Sequence, residues 1–229
     1  GRPILDPKMR LECCVGFEEG RWHLSGATTS AGASVDWITR NTQARDALGK
    51  NLRVYSFLDK FLPRNIKPTD LFFLPYLAGE RSPFWNADAN GALLGITLSH
   101  TTEDLIQSVL EGVGFTVRTI VDITEQLTGQ VIKTVRVAGA ATSSATWMSM
   151  LANILGKKVL LPKEKEATAL GAAMLGAVGV ALAPNVREAA RRFLRVSRTF
   201  VPRSQSVHAY DKAYKQFIKK SEAYILMRA

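Results

Sequence analysis

From Arg10 to Ser25, apolar residues fall on alternate positions. Leu11, Cys13, Val15 and Phe17 form one series, Glu18-Glu19-Gly20 turns the chain, and Trp22 and Leu24 continue it. That period predicts a β-hairpin. Gly26 to Ser34 is small and polar and leads into a short helix around Val35 to Thr39. Asn41 to Lys50 has few apolar side chains and reads as an exposed connection. Val54 to Leu62 reads as a further short helix, and Pro63 and Pro68 bracket a loop. The apolar run Leu71 to Leu77 suits a buried strand.

The period then changes. Leu105, Val109, Gly112, Thr116, Ile120, Ile123 and Leu127 step by three or four and predict a helix over Glu103 to Leu127. Thr101 and Thr102 offer N-caps, Glu103 and Asp104 put negative charge at its positive end, and Gly129 ends it. Gly112 costs that helix roughly 1 kcal/mol against alanine, so close packing against a neighbour is expected there. A regular alternation follows: a strand at Thr134 to Ala138, a helix at Trp147 to Leu155, a strand at Lys158 to Leu161 and a small-residue helix at Ala167 to Val180. Strand and helix alternating at this spacing predict parallel pairing and an α/β sandwich. Arg187 to Arg195 and Val207 to Met227 read as terminal helices.

The 229 residues suffice for one large domain or two small ones. No apolar run approaches the ~20 residues of a membrane span, and Gly1 to Asp6 contains no signal-peptide core. No membrane association is therefore expected. Cys13 and Cys14 are adjacent and would strain a mutual disulfide, so two free thiols and a cytoplasmic location are expected. Net charge is +10, and the segment from Asn185 to Ala229, with eleven basic and three acidic residues, holds +8 of it. That segment has few aromatics for base stacking and reads as a solvated basic face; no nucleic-acid partner is expected.

Three segments carry candidate chemistry. Val137 to Trp147 is a strand, a tight small-residue turn and a helix start, where free N–H groups favour an anion. Small residues there also serve plain strand–helix packing. Glu166 to Gly179 reads as a buried helix that could wall a ring pocket. Gly79 to Thr97 combines Glu80-Arg81, Ser82-Pro83 and the glycines Gly91 and Gly95, which suit a backbone approached by phosphate. Arg81 either holds an anion or pairs with Glu80 or Asp88. His23, His100 and His208 are isolated, no zinc spacing occurs, and neither a Gly-x-Ser-x-Gly elbow nor a Walker loop is present.

Gly79–Glu111, Ala138–Trp147 and Glu166–Ala177, in that order, resemble the C-terminal domain of the FGGY carbohydrate kinases. The second signature of that family is carried by Gly91-x-Leu93-x-Gly95-Ile96, seven residues, then Asp104-Leu105-x-x-Ser108-Val109-Leu110-Glu111. Gly26 to Trp37 and Pro202 to Ile225 are also similar to family segments. The resemblance implies an actin-like, ribonuclease-H-like ATPase fold, a mixed sheet flanked by helices, over residues 1–229 as one nucleotide-binding domain. It implies ATP with Mg²⁺, and a sugar or sugar acid held by an N-terminal domain that also supplies the aspartate base. That domain has no counterpart here, so no catalytic residue and no metal ligand is assigned to this chain. Gly139, Ala140, Ser143 and Ser144 are expected around the nucleoside, and Gly91, Gly95 and Thr97 near the phosphates. Ala140 stands where the family has glycine, and its Cβ would crowd a nucleotide or forbid a positive φ. The alternative is a non-catalytic interaction module that keeps the fold. A homodimer is the remaining partner expectation, with Gly112 and Trp85 as candidate contacts.

Overall fold

A computed structural model describes residues 2–42, 44, 54–62 and 67–227. The expected connection at Asn41 to Lys50 and the Pro63 end of its loop lie largely outside them. Among the described residues, the strands and α-helices run in the order β1 (Glu12–Val15), β2 (Trp22–Ser25), α1 (Ala31–Asn41), α2 (Val54–Phe61), β3 (Phe72–Leu74), β4 (Ala92–Leu94) and α3 (Thr102–Thr128), followed by β5 (Thr134–Arg136), α4 (Ala145–Leu155), β6 (Lys158–Pro162), α5 (Ala167–Gly179), α6 (Val186–Phe193), β7 (Val196–Phe200) and α7 (Ser204–Leu226).

Among the described residues the strands form three small sheets: β1–β2 antiparallel, β3–β4 antiparallel, and a mixed sheet in the order β5-β6-β7. The strand–helix alternation predicted the parallel β5–β6 pair, in which Val135 faces Val159. It did not predict β7, which runs antiparallel to β6, with Leu160 opposite Thr199. β7 is largely exposed along its length, so burial left no periodic mark on its sequence.

α3 is the hub. Thr101 caps it, its hydroxyl accepting the Asp104 N–H while the Asp104 carboxylate takes the Thr101 N–H at 2.8 Å, a complete capping box. Gly129 closes it at φ 67°. A narrow stripe was expected, but every residue from Ile106 to Thr116 is buried, because β3, α4 and α7 pack around this half of the helix. Gly112 abuts the strand: a Cβ there would lie 2.1 Å from the Phe73 carbonyl oxygen. It is an interior contact. On another side Phe115 meets Phe217 at 5.2 Å between ring centroids.

Two polar groups lock the helices. The Arg118 guanidinium on α3 donates to the Ile154 carbonyl at the end of α4 (2.9 Å), pairs with Asp211 on α7 (2.7 Å) and lies over the Tyr214 ring at 4.2 Å. Glu111, also on α3, is wholly buried; it accepts hydrogen bonds from the Gln107 amide, the Thr69 N–H and the Tyr210 hydroxyl, and shares a further one with the Thr69 hydroxyl at 2.7 Å.

The hairpin behaves differently at its two ends. Leu11 is buried against Gly26 beside Ile120, whereas Val15 and Phe17 are 71% and 79% exposed. Alternation here marks a strand whose tip extends past the core. Cys13 and Cys14 are free thiols. No helix among the described residues is long and apolar enough to cross a membrane.

Candidate functional site

The turn between β5 and α4 is built as its sequence suggests. Gly139 adopts φ 90°, a conformation that favours glycine, and a Cβ there would meet nothing within 4 Å. Ala140 to Ser143 form one 3-10 turn, closed by the Thr142 N–H to the Gly139 carbonyl at 3.1 Å. Ala140 is not among the residues with positive φ, so alanine fits without backbone strain. Gly139, Ala140 and Ser143 are exposed and leave an open main-chain face.

Ser144 is placed differently. It is fully buried, and its hydroxyl donates to the Asp59 carboxylate of α2 at 2.6 Å while accepting the Trp147 N–H. Asp59 also takes the N–H groups of Ala145 and Thr146, both at 2.9 Å. The positive end of α4 is thus neutralised by the protein's own carboxylate, and Ser144 positions the helix instead of presenting a free hydroxyl. Burial alone would raise the Asp59 carboxyl, but the hydrogen bonds from Ser144, Thr146 and Ala145 outweigh it and hold it below its ordinary value. Sequence inspection missed Asp59, since it lies in an ordinary amphipathic stretch 85 residues from its partner.

Asp59→Asn is expected to cost about 2 kcal/mol, the scale of losing charge-assisted hydrogen bonds at a partly exposed site. Urea denaturation at neutral pH measures it. An unchanged midpoint would show that α4 holds its own N-terminus. The ionised form stabilises the fold above the unfolded pKa of 3.8, and that contribution fades as pH falls below it.

The signature segment is tied together mostly by internal contacts. Glu80 is buried, and its carboxylate accepts the Thr28 hydroxyl at 2.9 Å, the Thr29 N–H at 3.1 Å and the Arg81 N–H at 2.9 Å. Burial pushes its carboxyl up, against those bonds. Ser82 adds a two-way clasp with the backbone of Ala27. These contacts hold the approach to α1 against residues 79–86. Arg81 pairs with Glu12 at 3.0 Å, not with Glu80 or Asp88, and stacks over Trp85.

Gly91 and Gly95 face the chain itself. A Cβ on Gly91 would meet Leu77 at 2.5 Å, and one on Gly95, at φ 92°, the Asp70 carbonyl at 2.9 Å. Beyond them Gly95 to Ser99 is exposed, with the Thr97 N–H donated to His100 Nδ1 at 2.9 Å. The N-terminus of α3 that follows is occupied by Asp104. Two cavities among the described residues are lined by residues other than these seven, and one of the two is bordered by Thr146 on α4.

The α/β arrangement built around α3 is that of the actin-like ATPases. It superposes on a xyloylose kinase from Brucella ovis with a TM-score of 0.85 at 27% identity, over 99% of this chain and 46% of that one. A Plasmodium falciparum glycerol kinase with ADP shares the fold at a TM-score of 0.70 and 22% identity, over 90% of this chain and 41% of that one. A gluconokinase from Bacillus licheniformis is 30% identical over 227 residues, 97% of this chain and 44% of its own length. The model of the FGGY family of carbohydrate kinases, C-terminal domain, matches residues 6–180. The chain belongs to that family. It spans less than half the length of these relatives.

Proposed function

We propose that this chain is the ATP-binding half of a carbohydrate kinase, which moves the γ-phosphoryl of ATP onto a hydroxyl of a gluconate- or xylulose-like substrate. The supporting observation is the Gly139 turn: a glycine at positive φ, open space before it, and exposed main chain through Ala140, inside the segment shared with the kinases. A nucleoside fits against Gly139, Ala140 and Ser143, with Ser144 and Asp59 fixing the helix behind them. The exposed Gly95 to Ser99 loop, carrying Thr97, is assigned to the phosphates, and its shape depends on Gly91 and Gly95 packing inward. Mg²⁺ would arrive with the nucleotide, to neutralise charge in the transfer. The general base and the sugar contacts belong to the other half of the enzyme, and the setting is the cytoplasm.

Calorimetry with Mg-ATP and with a non-hydrolysable analogue is expected to show binding by this chain. ADP release with gluconate, pentuloses and glycerol is expected to show little or no turnover. Robust turnover would mean that the base lies in this chain. Ala140 favours a second reading, a non-catalytic interaction module, and absence of binding at millimolar nucleotide would select it.

A further inference from the structure

α2 reaches α4 with two side chains four residues apart on one helix face, Tyr55 and Asp59. Asp59 takes the Ser144 hydroxyl at 2.6 Å and the Ala145 and Thr146 N–H groups at 2.9 Å. The Tyr55 ring stacks on Trp147, with 5.8 Å between centroids and 15° between planes. Ser144 and Trp147 are themselves tied, the Trp147 N–H donating to the Ser144 hydroxyl at 3.1 Å. Residues 144–147, which begin where the Gly139 turn ends, are thus gripped by α2, and α2 also packs against the turn itself. Tyr55 is backed in its turn by α1: a Cβ on Gly32 would come within 3.0 Å of its hydroxyl.

The grip is not built for stability alone. Trp147 is 5% exposed, yet among the described residues its indole N–H has no hydrogen-bond partner. A bare buried donor costs stability, and phenylalanine would give apolar bulk without one. What indole adds is a broad flat face for Tyr55 to lie on. A local cost of this kind, borne by the residue that anchors the turn, fits a part of the molecule shaped for binding.

We propose that Tyr55 and Asp59 are positioning residues of the nucleotide turn: acting through Trp147 and Ser144, they hold the main chain from Gly139 to Ser143 in its ligand-ready form. This rests on the reading that the turn receives a nucleotide. Main chain fixed beforehand binds more tightly than main chain that must order on contact. α2 therefore sets nucleotide affinity although it carries none of the residues assigned to the nucleotide.

Two measurements on the 229-residue chain test it, with Tyr55→Leu, Asp59→Asn and, as the conservative replacement, Tyr55→Phe. The first is amide hydrogen exchange without ligand. Tyr55→Leu and Asp59→Asn are each expected to speed exchange across 139–146 about tenfold, at labelling times when the buried half of α3 is still unexchanged. The second is calorimetry with Mg-ATP, which the same two variants are expected to bind about tenfold more weakly while still fully folded. Tyr55→Phe keeps the ring and is expected to match the parent in both. Unchanged exchange in the turn, or exchange that rises only together with that of α3, would overturn the proposal. So would unchanged Mg-ATP affinity in a variant whose turn has loosened, or a Tyr55→Phe variant as impaired as Tyr55→Leu. A parent chain that does not bind Mg-ATP would overturn the nucleotide reading and the positioning role with it, so the parent measurement alone separates the two failures.

Discussion

Gly112→Ala is expected to lower the thermal midpoint by roughly 8 °C, a net loss of about 2–3 kcal/mol. In an exposed helix the same exchange would gain about 1 kcal/mol of propensity. Here the added methyl would sit 2.1 Å from the Phe73 oxygen and 3.1 Å from its carbonyl carbon. Both are backbone atoms of β3, which pairs with β4 and carries buried Phe72, Phe73 and Leu74. A flexible side chain could swing away; a paired strand must shift as a body. The steric cost therefore outweighs the propensity gain. Scanning calorimetry decides the sign, and a raised midpoint would mean that α3 can slide off the sheet at little cost.

The second large effect is in pH dependence and centres on Glu111. Burial pushes its carboxyl up to about 7, against the pull of the hydrogen bonds from Gln107, Thr69 and Tyr210. The hydrogen-bond geometry agrees with a protonated group. The Thr69 hydroxyl lies 2.7 Å from Glu111 and 3.0 Å from the Leu71 carbonyl, yet has one proton to give. A neutral Glu111 can donate to Thr69, which then donates to Leu71. Unfolded, the group titrates near 4.5. Between those values the unfolded chain ionises while the folded chain keeps its proton. The contribution is thus full below about pH 4.5 and lost as pH rises through about 7, amounting to about 3 kcal/mol. Glu111→Gln cannot titrate. Urea denaturation at pH 4.5 and pH 7.5 is expected to show a difference between the two conditions that is about 3 kcal/mol smaller in the variant. An identical difference in both proteins would place the titration elsewhere.

What could be read directly from the chain was local. α3 announced itself through Thr101, Asp104, its apolar period and Gly129, all of which act within a turn or two of where they sit. The β1–β2 hairpin and the β5–α4–β6 unit were legible for the same reason. Gly112 was recognisable as a packing glycine because it violated helix propensity, although its partner Phe73 was not nameable. Contacts across long separations were not legible. The latch between Asp59 and Ser144, the clasp of Glu80 on Thr28 and Thr29, and the Glu111 knot join residues 42 to 99 positions apart. Nothing in the neighbourhood of Asp59 distinguishes it from any exposed acid on a short helix. The same limit explains the glycines of the signature. A small residue before a helix suits both an anion and a crowded backbone, and only the surroundings of Gly91 and Gly95 show that the crowding is there.

Arg118 illustrates what this interior asks of a side chain. Its Nη1 serves both the Ile154 carbonyl and the Asp211 carboxylate, its Nε lies 3.8 Å from Asp122, and its central carbon sits over the Tyr214 ring, a combination that suits a flat, delocalised cation. Lysine would preserve the sign and lose the flat face that lies over Tyr214 and the Nε that approaches Asp122. Drift at position 118 is therefore constrained by geometry more than by charge, and any tolerated replacement would have to travel with Asp211 and Tyr214 as a set.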